Sequence, residues 1–182
     1  MMRTLKLAAV VAALLSAGSV AAETLVRPGY FSVDVDGWLQ QPDDNRVIFA
    51  CMDCGSPVQV QIDYGPELPA DAEYKTNAEF LARLKDEDDQ RQFATLLIKA
   101  SVPPDVAIEF EIQKVGFGEV GGLKIFEYSA LIASSPRSTR DSAIVGLQNH
   151  RLMKMTLNHY DDALTPAATA RISAFFKSLK FL

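Results

Sequence analysis

From Val106 to Asn158 the chain reads as four extended segments whose connections are too short for crossover helices. Val106, Ile108, Phe110 and Ile112 alternate as a strand. Gly116-Phe-Gly118 and Gly121-Gly122 punctuate a turn, and Leu123 to Ala133 is a long second strand. The loop Ser134–Arg140 leads to strands over Ala143–Gln148 and Leu152–Asn158, which meet at a tight Asn149-His150 turn. Parallel neighbours need a crossover of a dozen or more residues, so this stretch can only be an antiparallel meander. Apolar residues in both phases of the second strand (Ile125, Phe126, Tyr128, Leu131, Ile132) predict a central strand covered on both faces.

The rest of the chain supplies more strands and the covering helices. Tyr30–Val35 alternates with Phe31, Val33 and Val35 on one face, and Asp36-Gly37 predicts a hairpin turn. Pro42–Asn45 reads as a loop, Arg46–Ala50 as a strand, and Val58, Val60, Ile62 and Tyr64 as another. Gly65–Asp71, with two prolines, reads as a loop. Thr76-Asn-Ala-Glu79 matches a capping box. Either one helix with a solvated middle turn or two helices broken near Asp86 follow; two are favoured, since Asp88 can cap the second, and the acidic run Asp86–Asp89 reads as a solvated turn. Thr165-Pro166 starts a last helix with an apolar stripe of Ile172, Phe175, Phe176 and Leu179. The expected class is α+β, an antiparallel sheet with helices packed on it.

Ahead of this lies a segment that reads as an export signal rather than structure. Arg3 and Lys6 precede the apolar run Leu7–Leu15, and small residues lead to a cleavage site before Glu23. Residues 1–22 are thus expected to be a signal peptide and residues 23–182 a single α+β domain, periplasmic or secreted. No second apolar run offers a membrane anchor. The whole chain has a net charge of −5, and loss of Arg3 and Lys6 makes it more negative. Such a field does not recruit phosphate backbones, which argues against nucleic acid as a partner.

The layout resembles the PsbP-like fold, an α/β/α sandwich found in secreted and lumenal proteins. The residues that carry the resemblance are Gly122-Leu-Lys-Ile-Phe-Glu-Tyr-Ser129, the later hairpin, and the closing helix ending Phe176-Lys-Ser-Leu-Lys-Phe181. It implies the topology of most of the mature chain and transfers no functional residue, since fold does not fix function.

Cys51-Met-Asp-Cys54 is the most reactive-looking motif. In an oxidising compartment it reads first as a structural disulfide at a hairpin end. A thiol-disulfide oxidoreductase site is the rival, but that needs a helix starting at the first thiol, and here Gly55-Ser-Pro57 leads into a strand pattern. A zinc site lacks its other ligands. Met153, Met155 and His159 share one strand face and have the softness of a copper(I) set, although core packing explains the methionines equally. Arg137 and Arg140 are candidates for clamping an acidic ligand. There is no nucleophile elbow, zinc-protease motif, phosphate loop or dinucleotide fingerprint, so no cofactor is expected. The resulting expectation is a binding or interaction domain for a protein or small ligand, with no evident catalytic site.

Overall fold

The computed structural model describes residues 23–103, 106–133 and 137–182. The expected signal segment, and residues 134–136 of the expected loop, lie outside the described residues. Ten strands and three helices follow in the order β1 (Thr24–Arg27), β2 (Phe31–Asp34), β3 (Trp38–Asp43), β4 (Arg46–Cys51), β5 (Val58–Glu67), α1 (Asn77–Ala82), α2 (Glu87–Ala100), β6 (Glu109–Val120), β7 (Leu123–Ala133), β8 (Thr139–Gln148), β9 (Arg151–Tyr160), α3 (Pro166–Ser178) and β10 (Lys180–Phe181). Seven strands form one antiparallel sheet in the order β3-β4-β5-β9-β8-β7-β6, and β1, β2 and β10 form a small second sheet. The expected α+β class and its meander from β6 to β9 are present.

Two cores lie on opposite faces of the large sheet. Alternation in β5 sends Val58, Val60, Ile62 and Tyr64 to one face, where they meet Val47, Phe49, Met153, Met155 and Phe175 of α3. Phe175 packs edge-on against Phe49 and tilted against Trp38, with ring centroids 5.1 Å away in each case. On the other face Phe80 and Leu84, with Ala94 and Ile98 of α2, cover Phe126, Tyr128, Ala143 and Val145. Helices therefore sandwich the sheet, but out of register. The third helix lies over the β4–β5–β9 half, whereas α1 and α2 lie over the β7–β8 half.

Local chemistry explains the helix ends. Thr76 and Glu79 form the expected capping box. Asp86, not Asp88, caps α2: its carboxylate accepts the Asp89 N–H at 2.9 Å. The acidic run is therefore a helix start, with Glu87, Asp88 and Asp89 placed in the first turn where the helix dipole favours negative charge. Thr165 caps α3, whose first residue is Pro166.

Several expected boundaries move. Gly116-Phe-Gly118 lies inside β6, paired with Glu127, Phe126 and Ile125, and the chain reverses only at Gly121-Gly122. Two glycines with φ of +59° and +81° suffice there, so the earlier pair is free to stay extended. Pro42 belongs to edge strand β3, where a missing N–H costs no ladder bond. Asp36-Gly37 turns the chain, but between β2 and β3 of different sheets, so it is not a hairpin. The two-faced strand β7 is penultimate in its sheet, and β9 is the middle one. In β7, α1 and α2 cover Phe126 and Tyr128 on one face, while Ile125 points the other way and is buried beside Ile144, Met155 and Phe181 of β10.

Candidate functional site

The cysteines are joined in a disulfide across the β4–β5 connection, with Cα atoms 5.7 Å apart. No helix begins at the pair: Gly55 takes a φ of +71° and β5 starts at Val58. Cys54 is buried among core residues, and its carbonyl accepts the Thr165 hydroxyl at 2.7 Å. That same hydroxyl oxygen accepts the Ala168 N–H of α3. Arg171 of α3 donates to the Asp36 carbonyl at 3.0 Å and to the Asp53 carboxylate. The disulfide loop and the Asp36-Gly37 turn are thus both tied to the first turns of α3.

Arg137 and Arg140 each face one of the chain's own acids. Arg137 pairs with Asp162 at 3.3 Å and lies over the Tyr160 ring. Arg140 pairs with Asp161 at 2.6 Å and bonds Gln113. Met153 and Met155 are 2% exposed and belong to the α3-side core. His159 sits further along β9, its Nδ1 2.5 Å from the Tyr160 carbonyl. At about 3.3 Å per strand residue, Met153 and His159 stand roughly 20 Å apart, so these three side chains do not converge on one ion.

The strongest site is one that the sequence reading passed over. It lies on the α1–α2 face, in the half of the sheet that those helices leave open. Strand pairing builds it as three polar rungs. Arg46, Asp63 and Lys154 are successive neighbours on the first. Gln61, Thr156, Ala143 and Tyr128 form the second. Gln59, Asn158 and Asp141 form the third. Lys154 of the first rung, Gln61, Thr156 and Tyr128 of the second and the whole third rung, with Ser101 at the C-terminus of α2, line a cavity of about 310 Å³.

Its electrostatics are those of charges partly removed from water. Burial pushes the Asp141 carboxyl above the usual carboxylate range, against opposing help from its Asn158 hydrogen bond and from Lys154 and His159. Burial likewise holds the Lys154 ammonium below the usual lysine range, and pushes the Tyr128 phenol up. The ammonium donates to Ser101 Oγ at 2.6 Å, and that hydroxyl donates to the Leu97 carbonyl at 2.7 Å. Asp63 is engaged by Arg46 at 2.7 Å and by Gln61. The Thr156 hydroxyl is buried and has no protein partner. A buried hydroxyl left unpaired costs free energy, a cost that a hydrogen-bonding group brought within its reach would relieve.

The signal for this site was the polar phase of two alternating strands. Gln59, Gln61 and Asp63 interleave with β5 core residues, and Lys154, Thr156 and Asn158 interleave with the β9 methionines. Alternation alone assigns such residues to solvent. Only the sheet order places them side by side and next to Asp141 and Tyr128. A second cavity, about 420 Å³, opens on the opposite face against Ile144, Met155, Leu157, Ile172 and Phe176. It is mainly apolar, and among the described residues that line it none has a buried side-chain polar atom without a partner.

No family model and no curated protein matches the sequence. Solved structures do share its fold. A structure of cyanobacterial PsbP (CyanoP) from Synechocystis sp. PCC 6803 aligns over 93% of this chain and 99% of its own, at 15% identity and a TM-score of 0.58. A protein of Bacteroides thetaiotaomicron VPI-5482 aligns over 88% of this chain at 10% identity and a TM-score of 0.52, and this chain spans 48% of its length. LpqN of Mycobacterium tuberculosis, involved in cell envelope biogenesis, aligns over 87% of this chain and 89% of its own, at 12% identity and a TM-score of 0.48. Among the described residues no helix is long and apolar enough to cross a membrane. The sandwich of offset helices on a seven-stranded antiparallel sheet is a PsbP-like fold.

Proposed function

We propose that the chain is exported, trimmed to begin at Glu23, and acts in the periplasm or outside the cell as a binding domain that performs no chemistry of its own. Its ligand is a small hydrogen-bonding molecule held in the cavity between Lys154 and Asp141. The observation that carries this reading is a polar cavity lined by Lys154, Asp141 and Thr156, the last with a buried hydroxyl that has no protein partner. Two partly buried charges flank it, an arrangement that costs stability and is common where a site binds a polar ligand. The disulfide serves as a staple: its loop is bonded to α3 through Thr165 and Arg171, and a reactive pair would need a helix start that β5 replaces.

Fractionation of cells expressing the full chain tests export, with N-terminal sequencing expected to begin at Glu23. Backbone amide NMR of the exported form tests the site. A panel of neutral, anionic and zwitterionic polar compounds should move the signals of Gln59, Gln61, Thr156 and Asn158 and leave α3 unmoved. Turnover of a substrate that disappears on replacing Asp141 or Lys154 would overturn the non-catalytic reading.

A further inference from the structure

The cavity has two electrical poles. At one end Lys154 brings a cation bonded to Ser101, while the Arg46–Asp63 pair lies beside it on the same rung but outside the cavity lining. At the other end Asp141 is a single carboxylate beside the neutral Asn158 and Gln59. Lys154 lies opposite Val145, four residues from Asp141 along β8. At about 3.3 Å per residue, the two backbone positions are roughly 13 Å apart. No ion pair joins the two among the described residues, and Lys154 bonds Ser101 instead. Between the poles lie the unpartnered Thr156 hydroxyl and the Gln61 amide.

We infer that this pocket recognises a short zwitterionic peptide, its carboxylate at the Lys154–Ser101 end and its ammonium at Asp141. The inference rests on the binding reading above and names the ligand class. A simple anion would meet Lys154 and be repelled by Asp141, and a neutral sugar would add no opposite charge at either end. A molecule with opposite charges at its ends compensates both at once. Extended peptides advance about 3.3–3.6 Å per residue, so two or three residues fill the span that remains once the side chains reach inward. The middle rung then meets peptide groups with Thr156 and Gln61, which makes recognition tolerant of peptide side chains.

The test titrates the exported form, beginning at Glu23, with triglycine, N-acetyl-triglycine, triglycine amide and glucose, by calorimetry and amide NMR. Triglycine should bind and shift Thr156, and each blocked peptide should bind at least about tenfold more weakly, the effect of one charge-assisted bond. In Asp141→Asn the acetyl group should cease to matter, and in Lys154→Gln the amide should cease to matter. Thermal melts of both variants confirm that they fold. Equal affinity for all three peptides, or no response at Thr156 to triglycine, overturns the zwitterion assignment. If glucose or an anion still shifts Thr156, the binding reading survives that failure, and silence from every probe at that rung removes both.

Discussion

Thr156→Val gives the site two consequences of opposite sign. Valine matches threonine in shape and deletes only the hydroxyl. Because that hydroxyl makes no bond to the protein, its removal breaks no intramolecular hydrogen bond. An unpaired buried polar group costs about 1–3 kcal/mol. The valine methyl that replaces it recovers only part of that cost, so the variant should gain about 0.5–1.5 kcal/mol. For a domain of about 160 residues, 1 kcal/mol moves Tm by about 2–4 °C. A rise of about 1–6 °C is expected in thermal melts followed by circular dichroism. Ligand affinity should move the other way, since the lost bond to the ligand is worth about 0.5–1.5 kcal/mol, or roughly a two- to twelvefold higher Kd. Thr156→Ser keeps the hydroxyl and should retain affinity while losing a little stability. A fall in Tm of several degrees in Thr156→Val would refute the reasoning, because it would mean that the hydroxyl supports the fold.

Removing the disulfide by Cys51→Ser with Cys54→Ser should cost about 2 kcal/mol, the chain-entropy value for so short a loop, and lower Tm by roughly 4–8 °C. A redox-active pair would instead be reduced by mild thiols with function lost and Tm almost unmoved. Phe175→Ala should cost about 3–5 kcal/mol by denaturant titration, since its ring is buried between Trp38 and Phe49; a loss under 1 kcal/mol would contradict its central place. Thr165→Val removes both the α3 cap and the bond to the Cys54 carbonyl, for an expected loss of about 1–2 kcal/mol. Asp141 holds its proton more tightly folded than unfolded, so its contribution to stability declines as pH rises from the unfolded value near 3.8 through the raised folded value. The stability advantage of Asp141→Asn should accordingly be largest at neutral pH and shrink in acid, and a pH-independent difference would rule out the carboxyl's ionisation as its source.

What could be read from the residues followed local rules. The capping box at Thr76, the Thr165-Pro166 start of α3, the Asn149-His150 turn and the long strand Leu123–Ala133 each depend on neighbours within a few positions. Short connections then made the meander antiparallel, and the α+β sandwich followed from the apolar faces left to be covered. Where local signals competed, the structure chose. Asp86 outcompeted Asp88 as the α2 cap, and Gly121-Gly122 took the turn that Gly116–Gly118 also offered. The polar pocket belongs to a different category. Gln59, Thr156, Asp141 and Tyr128 come from four strands, and although the meander sets β7, β8 and β9 side by side, nothing in the spacing tells that β5 lies against β9. Their chemistry depends on the offset of the helical layers, which leaves half of one sheet face partly buried yet uncovered. Periodicity determines which way a side chain points along its own strand, but what it meets there is set by strand order and layer placement, which are properties of the whole packed chain.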